Sequence, residues 1–169
     1  MTTLAIVPNS GLYGAVVVLA LLNASPAARA GGPEQGPFAG LSGFWTGEGS
    51  VVMSNGAQER IRCRATYSVT TPQSLQQGLR CASASYVFDV KSNVAAAPDG
   101  SLSGTWSEGT RQVAGDLTGS ATPGRIQTSV ETLGFSANLT IATHGTRQSV
   151  SLQPQGTEVQ AVKIEMRRI

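Results

Sequence analysis

Few side chains in this sequence have the chemistry for acid–base or nucleophilic catalysis. Glu48, Glu108 and Asp116 are candidate carboxylates for general acid–base chemistry, and His144 is the single histidine. A nucleophile needs a base beside it, but His144 lies in Thr-His-Gly-Thr, which is typical of a hairpin turn at the rim of a sheet. We expect surface carboxylates and a turn histidine, and predict neither an enzyme nor a metal or cofactor site.

The two cysteines, Cys63 and Cys81, are placed to face each other. If a hairpin turns about Pro72, residues whose numbers sum to 144 are directly opposed, and the cysteines form such a pair. Three interpretations stand: a structural disulfide, which we favour, two free buried thiols, or a redox pair. The redox interpretation lacks a Cys-x-x-Cys motif.

Arginines form the one charge pattern in the chain. Arg60, Arg62 and Arg64 alternate along one segment, and Arg80 of the next segment shares their face. We interpret them as a solvated outer stripe. The alternative is a surface that recognises an anion or a partner through Arg62, Arg64 and Arg80.

The first hairpin decides which way these arginines point. A three-residue loop at Asn55-Gly56-Ala57 would pair Trp45 with Tyr67 and set Glu48 beside Arg64. A two-residue loop would bury arginines without partners, which is costly. We therefore predict the three-residue loop and outward-facing arginines.

Two-residue alternation of apolar and polar side chains continues from Leu41 to the end of the chain, which predicts β-strands. Turn-forming pairs such as Asn55-Gly56, Asp99-Gly100 and Pro123-Gly124 divide the pattern into about ten segments. We predict an all-β fold, an antiparallel up-and-down meander of about ten strands. Closure into a barrel would remove the two exposed edges of the sheet.

The N-terminal part has the composition of an export signal. An apolar run at 12–22 is followed by small residues and Ala28-Arg29-Ala30, the pattern that signal peptidase cleaves. We predict a signal peptide at 1–30, a flexible leader at 31–40 and one barrel domain at 41–169. The mature protein would be periplasmic or secreted, with no membrane span.

The charge balance of the mature chain bears on whether it binds nucleic acids or anionic membranes. Removing residues 1–30 takes away one of twelve basic residues and none of the ten acidic ones, so the mature chain is almost neutral. This balance predicts no nucleic-acid binding and no attraction to anionic membranes. The sequence does not specify an oligomeric state.

The segment Leu-Ser-Gly-Phe-Trp-Thr-Gly-Glu-Gly at 41–49 resembles the opening strand of calycin barrels. Gly43, Trp45, Gly47 and Gly49 fill the Gly-x-Trp-x-Gly-x-Gly pattern of nitrobindin-type haem barrels, and lipocalins share its Gly-x-Trp part. The resemblance implies a barrel with a tryptophan plugging one end. Haem ligation near the C-terminus would fall to His144, whose turn position argues against it. The mature chain also resembles a set of small exported bacterial proteins of unknown activity.

Our leading hypothesis is an exported barrel that holds a small apolar or amphipathic ligand. The candidate lumen residues are aromatic: Trp45, Tyr67, Phe88, Trp106 and Phe135. Many positions on the same face are Gly, Ala or Ser, so the interior is either partly empty or flattened and fully packed. The alternative function is a module without a lumen that recognises a protein or envelope polymer through its outer face.

Overall fold

The computed structural model describes residues 35–169, and the predicted signal peptide lies outside them. Ten strands follow one another with no helix between them: β1 (Gly43–Met53), β2 (Gln58–Thr71), β3 (Ser74–Ala82), β4 (Val87–Ala96), β5 (Ser101–Glu108), β6 (Val113–Thr122), β7 (Arg125–Thr132), β8 (Phe135–His144), β9 (Arg147–Gln155) and β10 (Val159–Arg168). Each strand pairs antiparallel with the next, and β10 pairs with β1 to close the barrel. The predicted all-β meander and its closure are confirmed.

Apolar side chains line the interior because the alternation holds along each strand. In β2, residues 61–69 alternate strictly between buried and exposed, beginning with the buried Ile61. Among the described residues, no helix is long and apolar enough to span a bilayer.

The Cys63–Cys81 disulfide is confirmed. The two residues are directly opposed on β2 and β3, with a Cα–Cα distance of 4.1 Å, and both side chains are buried. The predicted register of this hairpin is therefore correct.

The register of the first hairpin differs from our prediction by one loop position. The loop is Ser54-Asn55-Gly56, so Glu48 faces Arg62 and Trp45 faces Ala65. The Gly56 N–H donates to the Met53 carbonyl, and Gly56 has a φ of +87°. A three-residue hairpin loop needs its left-handed residue in the last position, so Gly56 fixes the loop one residue earlier. The arginines still face outward, because the shift preserves the alternation.

The barrel has one plugged end, where β1 begins. Before β1, residues 35–40 form turns, and the Phe38 side chain is fully buried beside Leu41. These six residues belong to the segment predicted as a flexible leader, so packing begins before Leu41. The rest of that segment lies outside the described residues, and the leader boundaries stay a prediction.

Candidate ligand-binding site

Two of the five predicted aromatic residues lie inside the plugged end. Trp45 and Tyr67 meet edge to face with their ring centroids 6.3 Å apart. The Trp45 Nε1 donates to the Leu41 carbonyl at 2.8 Å, and the Arg168 guanidinium lies 5.0 Å from the centre of its ring. Trp45 is 1% exposed, and its polar atom is satisfied. It acts here as a packed end plug.

A buried chain of hydrogen bonds holds Tyr67 in place. Its hydroxyl donates to Gln148 Oε1 at 2.9 Å, and Gln148 Nε2 donates to Thr143 Oγ1 at 3.1 Å. Burial raises the pKa of Tyr67 far above its ordinary value, although the Gln148 hydrogen bond opposes the shift. The hydroxyl therefore stays protonated. Sequence reasoning missed Gln148, although it shares the parity of the apolar Val150 and Leu152.

The opposite end of the barrel is less completely covered than the plugged end, and we call it the open end. Apolar side chains on the inner face of β3, β4 and β7–β9 remain partly exposed there: Leu79, Phe88, Val130, Phe135, Leu139 and Leu152. Leu139 and Leu152 directly oppose each other on β8 and β9. We call this set the open-end lining. Its partial exposure means that inward apolar surface at this end is not fully covered by the protein itself.

The three other predicted aromatic residues lie at this open end. Trp106 and Phe135 pack with their centroids 5.9 Å apart. Phe88 stacks on Tyr86 at 6.1 Å, and the Arg111 guanidinium lies 4.9 Å from the centre of the Phe88 ring. The predicted cluster of five therefore divides into a packed pair at the plugged end and three residues at the open end.

The indole nitrogen of Trp106 is buried without a partner. Trp106 is 8% exposed and lies against Gly115, the residue it pairs with on β6. Among the described residues, three buried side-chain N or O atoms have no hydrogen bond: Trp106 Nε1, Thr128 Oγ1 and Arg168 Nε. Most buried polar groups in proteins are paired. Trp106 therefore offers an unused donor beside the open-end lining.

The carboxylates do not converge. Glu48 is exposed on the outer face of β1, and Asp116 is exposed on β6. We expected Glu108 to be exposed as well, and that expectation is wrong. Glu108 is buried because it lies on the inward face of β5 with Leu102 and Trp106, and its carboxylate accepts hydrogen bonds from the backbone N–H groups of Asp89, Thr110 and Arg111 at 2.7–3.0 Å.

These contacts make Glu108 a structural carboxylate. Burial raises its pKa, but the hydrogen bonds from Asp89, Arg111 and Thr110 outweigh burial, and the net result is a lowered pKa. The Arg111 guanidinium adds an ion pair at 3.5 Å. Glu108 thus fixes the loop between β5 and β6 beside Phe88.

His144 ends β8 at the β8–β9 hairpin and is exposed. In the part of the chain that the structure describes, no three His, Cys, Asp or Glu side chains come together as a metal site would require.

The three candidate arginines are all exposed on the outer wall, but their surroundings differ. Arg62 donates to Glu48 at 3.1 Å, so its charge is partly compensated. Arg64 and Arg80 are directly opposed on β2 and β3, and among the described residues neither forms a salt bridge. Sequence parity placed them on one face but did not separate the paired arginine from the other two.

Two shallow depressions lie on the outside of the barrel. One of about 320 Å³ adjoins Phe135 at the rim of the open end, and another of about 470 Å³ lies over β4–β6 beside Trp106. The lining of the first is mostly polar, as in Thr132, Ser136 and Gln155, and the lining of the second mixes polar side chains with Trp106 and Ala114. Neither one has the character of an apolar ligand chamber.

Comparisons with known proteins add little to this geometry. No family model matches the chain, and no curated protein matches it. A solved structure described as EF1p2_mFAP2b bound to DFHBI is similar with a TM-score of 0.44 and 10% sequence identity, over 76% of this chain and 94% of that one. A likeness at this level transfers neither a ligand nor a residue role to the present chain.

Proposed function

We propose that this protein is an exported barrel that binds one small apolar or amphipathic ligand at its open end. The observation that carries the proposal is the buried, unpartnered Trp106 Nε1 beside partly exposed inward side chains. An apolar body covering the open-end lining would remove hydrocarbon surface from water. Because Trp106 Nε1 is buried, an acceptor atom on that body would reach it only after the side chains around Trp106 move aside.

Export is supported by the disulfide, because such bonds persist in oxidising compartments. The calycin resemblance is supported by the position of Trp45, which plugs one end of the barrel as the resemblance implies. We propose binding and not catalysis, since Glu108 is occupied by backbone donors and the other two candidate carboxylates lie apart from it.

The test is the binding of Nile red, a neutral apolar dye, to the disulfide-bonded protein. We compare a variant with a polar open end, Leu139→Gln with Leu152→Gln, against a control on the outer wall, Thr140→Gln with Ser151→Gln. Each is a directly opposed pair on the same two strands. We expect saturable 1:1 binding by the wild type and the control, and roughly tenfold weaker binding by the open-end variant.

Equal binding by both variants would place the dye elsewhere and contradict the proposal, as would the absence of saturable binding. Native mass spectrometry of protein purified from its own compartment then identifies the natural ligand as an added mass that disappears on denaturation.

A further inference from the structure

The strand register aligns basic side chains from both halves of the chain into one row on the outer wall. Directly opposed residues on adjacent strands share a face, and the pairs connect β8, β9, β10, β1, β2 and β3 in turn. Along this path the row reads His144, Arg147, Arg167, Thr46, Arg64 and Arg80. All of these except Thr46 are exposed. We call these residues the arginine row.

The row contains two directly opposed pairs of like charges, which β-sheets normally avoid. Arg147 directly opposes Arg167, and Arg64 directly opposes Arg80. Like charges in such pairs are destabilising. In the described part of the chain, the only salt bridges are Arg62–Glu48 and Arg111–Glu108, and neither involves the row.

Acidic groups lie beside the row. Where the row ends on β3, Asp89 of the next strand, β4, directly opposes Arg80. Glu48 and Glu165 oppose each other two positions along β1 and β10, and Glu48 is held by Arg62. The almost neutral overall charge thus hides a basic row, interrupted at Thr46, whose four guanidinium groups form no salt bridge in the described part of the chain.

The path is long and curved. It starts at the β8–β9 hairpin on the plugged end and reaches Arg80 near the other end of β3. Five steps between neighbouring strands span about 24 Å. Six neighbouring strands of the closed ten-strand barrel contribute, so the row wraps around about half of the wall. A flat membrane surface would touch only part of such a row, whereas a flexible chain can follow all of it.

We propose that the arginine row binds a linear acidic polysaccharide. Guanidinium groups bind carboxylate, sulfate or phosphate oxygens through paired N–H donors. Single-stranded nucleic acid is a poorer fit, because its non-specific binding sites add aromatic stacking platforms, and the row contains no aromatic residue. The disulfide supports the proposed export, which would separate the protein from intracellular nucleic acids. This site is separate from the open end and does not depend on the ligand proposed there.

The test titrates the full disulfide-bonded chain with polygalacturonate by calorimetry at about 0.1 M ionic strength, where the Debye length is about 10 Å. The row variant is Arg64→Gln, Arg80→Gln, Arg147→Gln and Arg167→Gln. The control variant is Arg60→Gln, Lys91→Gln, Arg125→Gln and Lys163→Gln, four exposed residues off the row with the same change in charge. The row variant should bind roughly tenfold more weakly or worse, and the control within about twofold of the wild type.

Two half variants test whether the substitutions leave the fold intact. One is Arg64→Gln with Arg80→Gln, and the other is Arg147→Gln with Arg167→Gln. Each should melt no lower than the wild type, since each removes a like-charge pair. Equal losses in the row and control variants would show a mere charge effect and overturn the proposal. No binding of polygalacturonate, or tighter binding of a single-stranded oligonucleotide or of anionic phosphatidylglycerol vesicles, would overturn it as well.

Discussion

The two tryptophans differ in what their indole nitrogens meet. Trp45 Nε1 donates to the Leu41 carbonyl, whereas Trp106 Nε1 has no partner. Both side chains are buried and both lie on the inner face of the barrel. The same substitution at the two positions therefore separates a structural tryptophan from one that is available to a ligand.

Trp45→Phe should lower the free energy of unfolding by about 2 kcal/mol, because it leaves a void and an unpaired Leu41 carbonyl. Trp106→Phe should change it by no more than about 1 kcal/mol, because removing an unpaired donor offsets the lost contacts. Urea unfolding measures both. A larger loss for Trp106→Phe than for Trp45→Phe would show that the Trp106 nitrogen is already satisfied.

Glu108 is the carboxylate whose ionisation should matter for stability. Its folded-state pKa is lowered by backbone N–H donors, so its contribution is present above the ordinary glutamate pKa and is lost as the pH falls through the folded-state value. Glu108→Gln should cost about 1–3 kcal/mol at pH 7, where the charged acceptor is lost. As the pH falls below the ordinary glutamate pKa, the difference between the variant and the wild type should shrink. A difference that stays constant from pH 7 to pH 3 would contradict this role.

At the scale of the strand, glycines on the inner face allow neighbouring backbones to approach closely. A Cβ on Gly119 in β6 would run into the Gln127 carbonyl oxygen of β7, while a Cβ on Gly78 in β3 would meet nothing within 4 Å. Gly78 lies on the outer face of β3, opposite the exposed Thr66 and Lys91, and therefore serves as a control without a close backbone approach.

Gly119→Ala should destabilise the barrel by about 1–3 kcal/mol, because the strands must move apart. Gly78→Ala should be neutral or slightly stabilising, because it restricts only the unfolded chain. Thermal unfolding of both variants tests the close approach. Equal and small effects would show that β6 and β7 have room between them.

Strand positions and face assignments could be predicted from the sequence because they depend on local alternation. The register of the Cys63–Cys81 hairpin could also be predicted, since a turn at Pro72 leaves one symmetric pairing. The register of the first hairpin was predicted wrongly, because we placed Gly56 in the middle of the three-residue loop, whereas its left-handed conformation belongs in the last position. The burial of Phe38 depends on a segment that folds over the barrel end, and no periodic pattern reports such a contact. Glu108 has the inward parity of Leu102 and Trp106 on β5, so the alternation did indicate its burial although we expected it at the surface.

At the scale of the whole molecule, the disulfide joins Cys63 and Cys81, which are 18 residues apart in sequence. Closing a loop of this size is worth about 3 kcal/mol in the chain-entropy model. Replacing both cysteines with alanine should lower the free energy of unfolding by about that amount with little change in the fold. A loss below about 1 kcal/mol would show that strand pairing alone determines the stability of this hairpin.

The barrel as a whole separates two surfaces that the sequence could not distinguish. Phe38 and Leu41 cover one end of the barrel. The aromatic residues on the inner face therefore fall into two groups, one at this plugged end and one at the open end. The basic row forms only when β10 closes on β1, since that pairing brings Arg167 beside Thr46. Both proposed sites thus depend on closure of the sheet.

The most direct test of the central claim, ligand binding at the open end, uses the two tryptophans as reporters. Trp45→Phe leaves only Trp106 to emit, and Trp106→Phe leaves only Trp45. Each variant is titrated with Nile red until the dye's own emission shows that the site is saturated, and its tryptophan emission is followed throughout. We predict that the dye strongly quenches the emission of Trp106 through contact and energy transfer, and that of Trp45 much less. Equal quenching of both tryptophans, or stronger quenching of Trp45, would contradict a site at the open end.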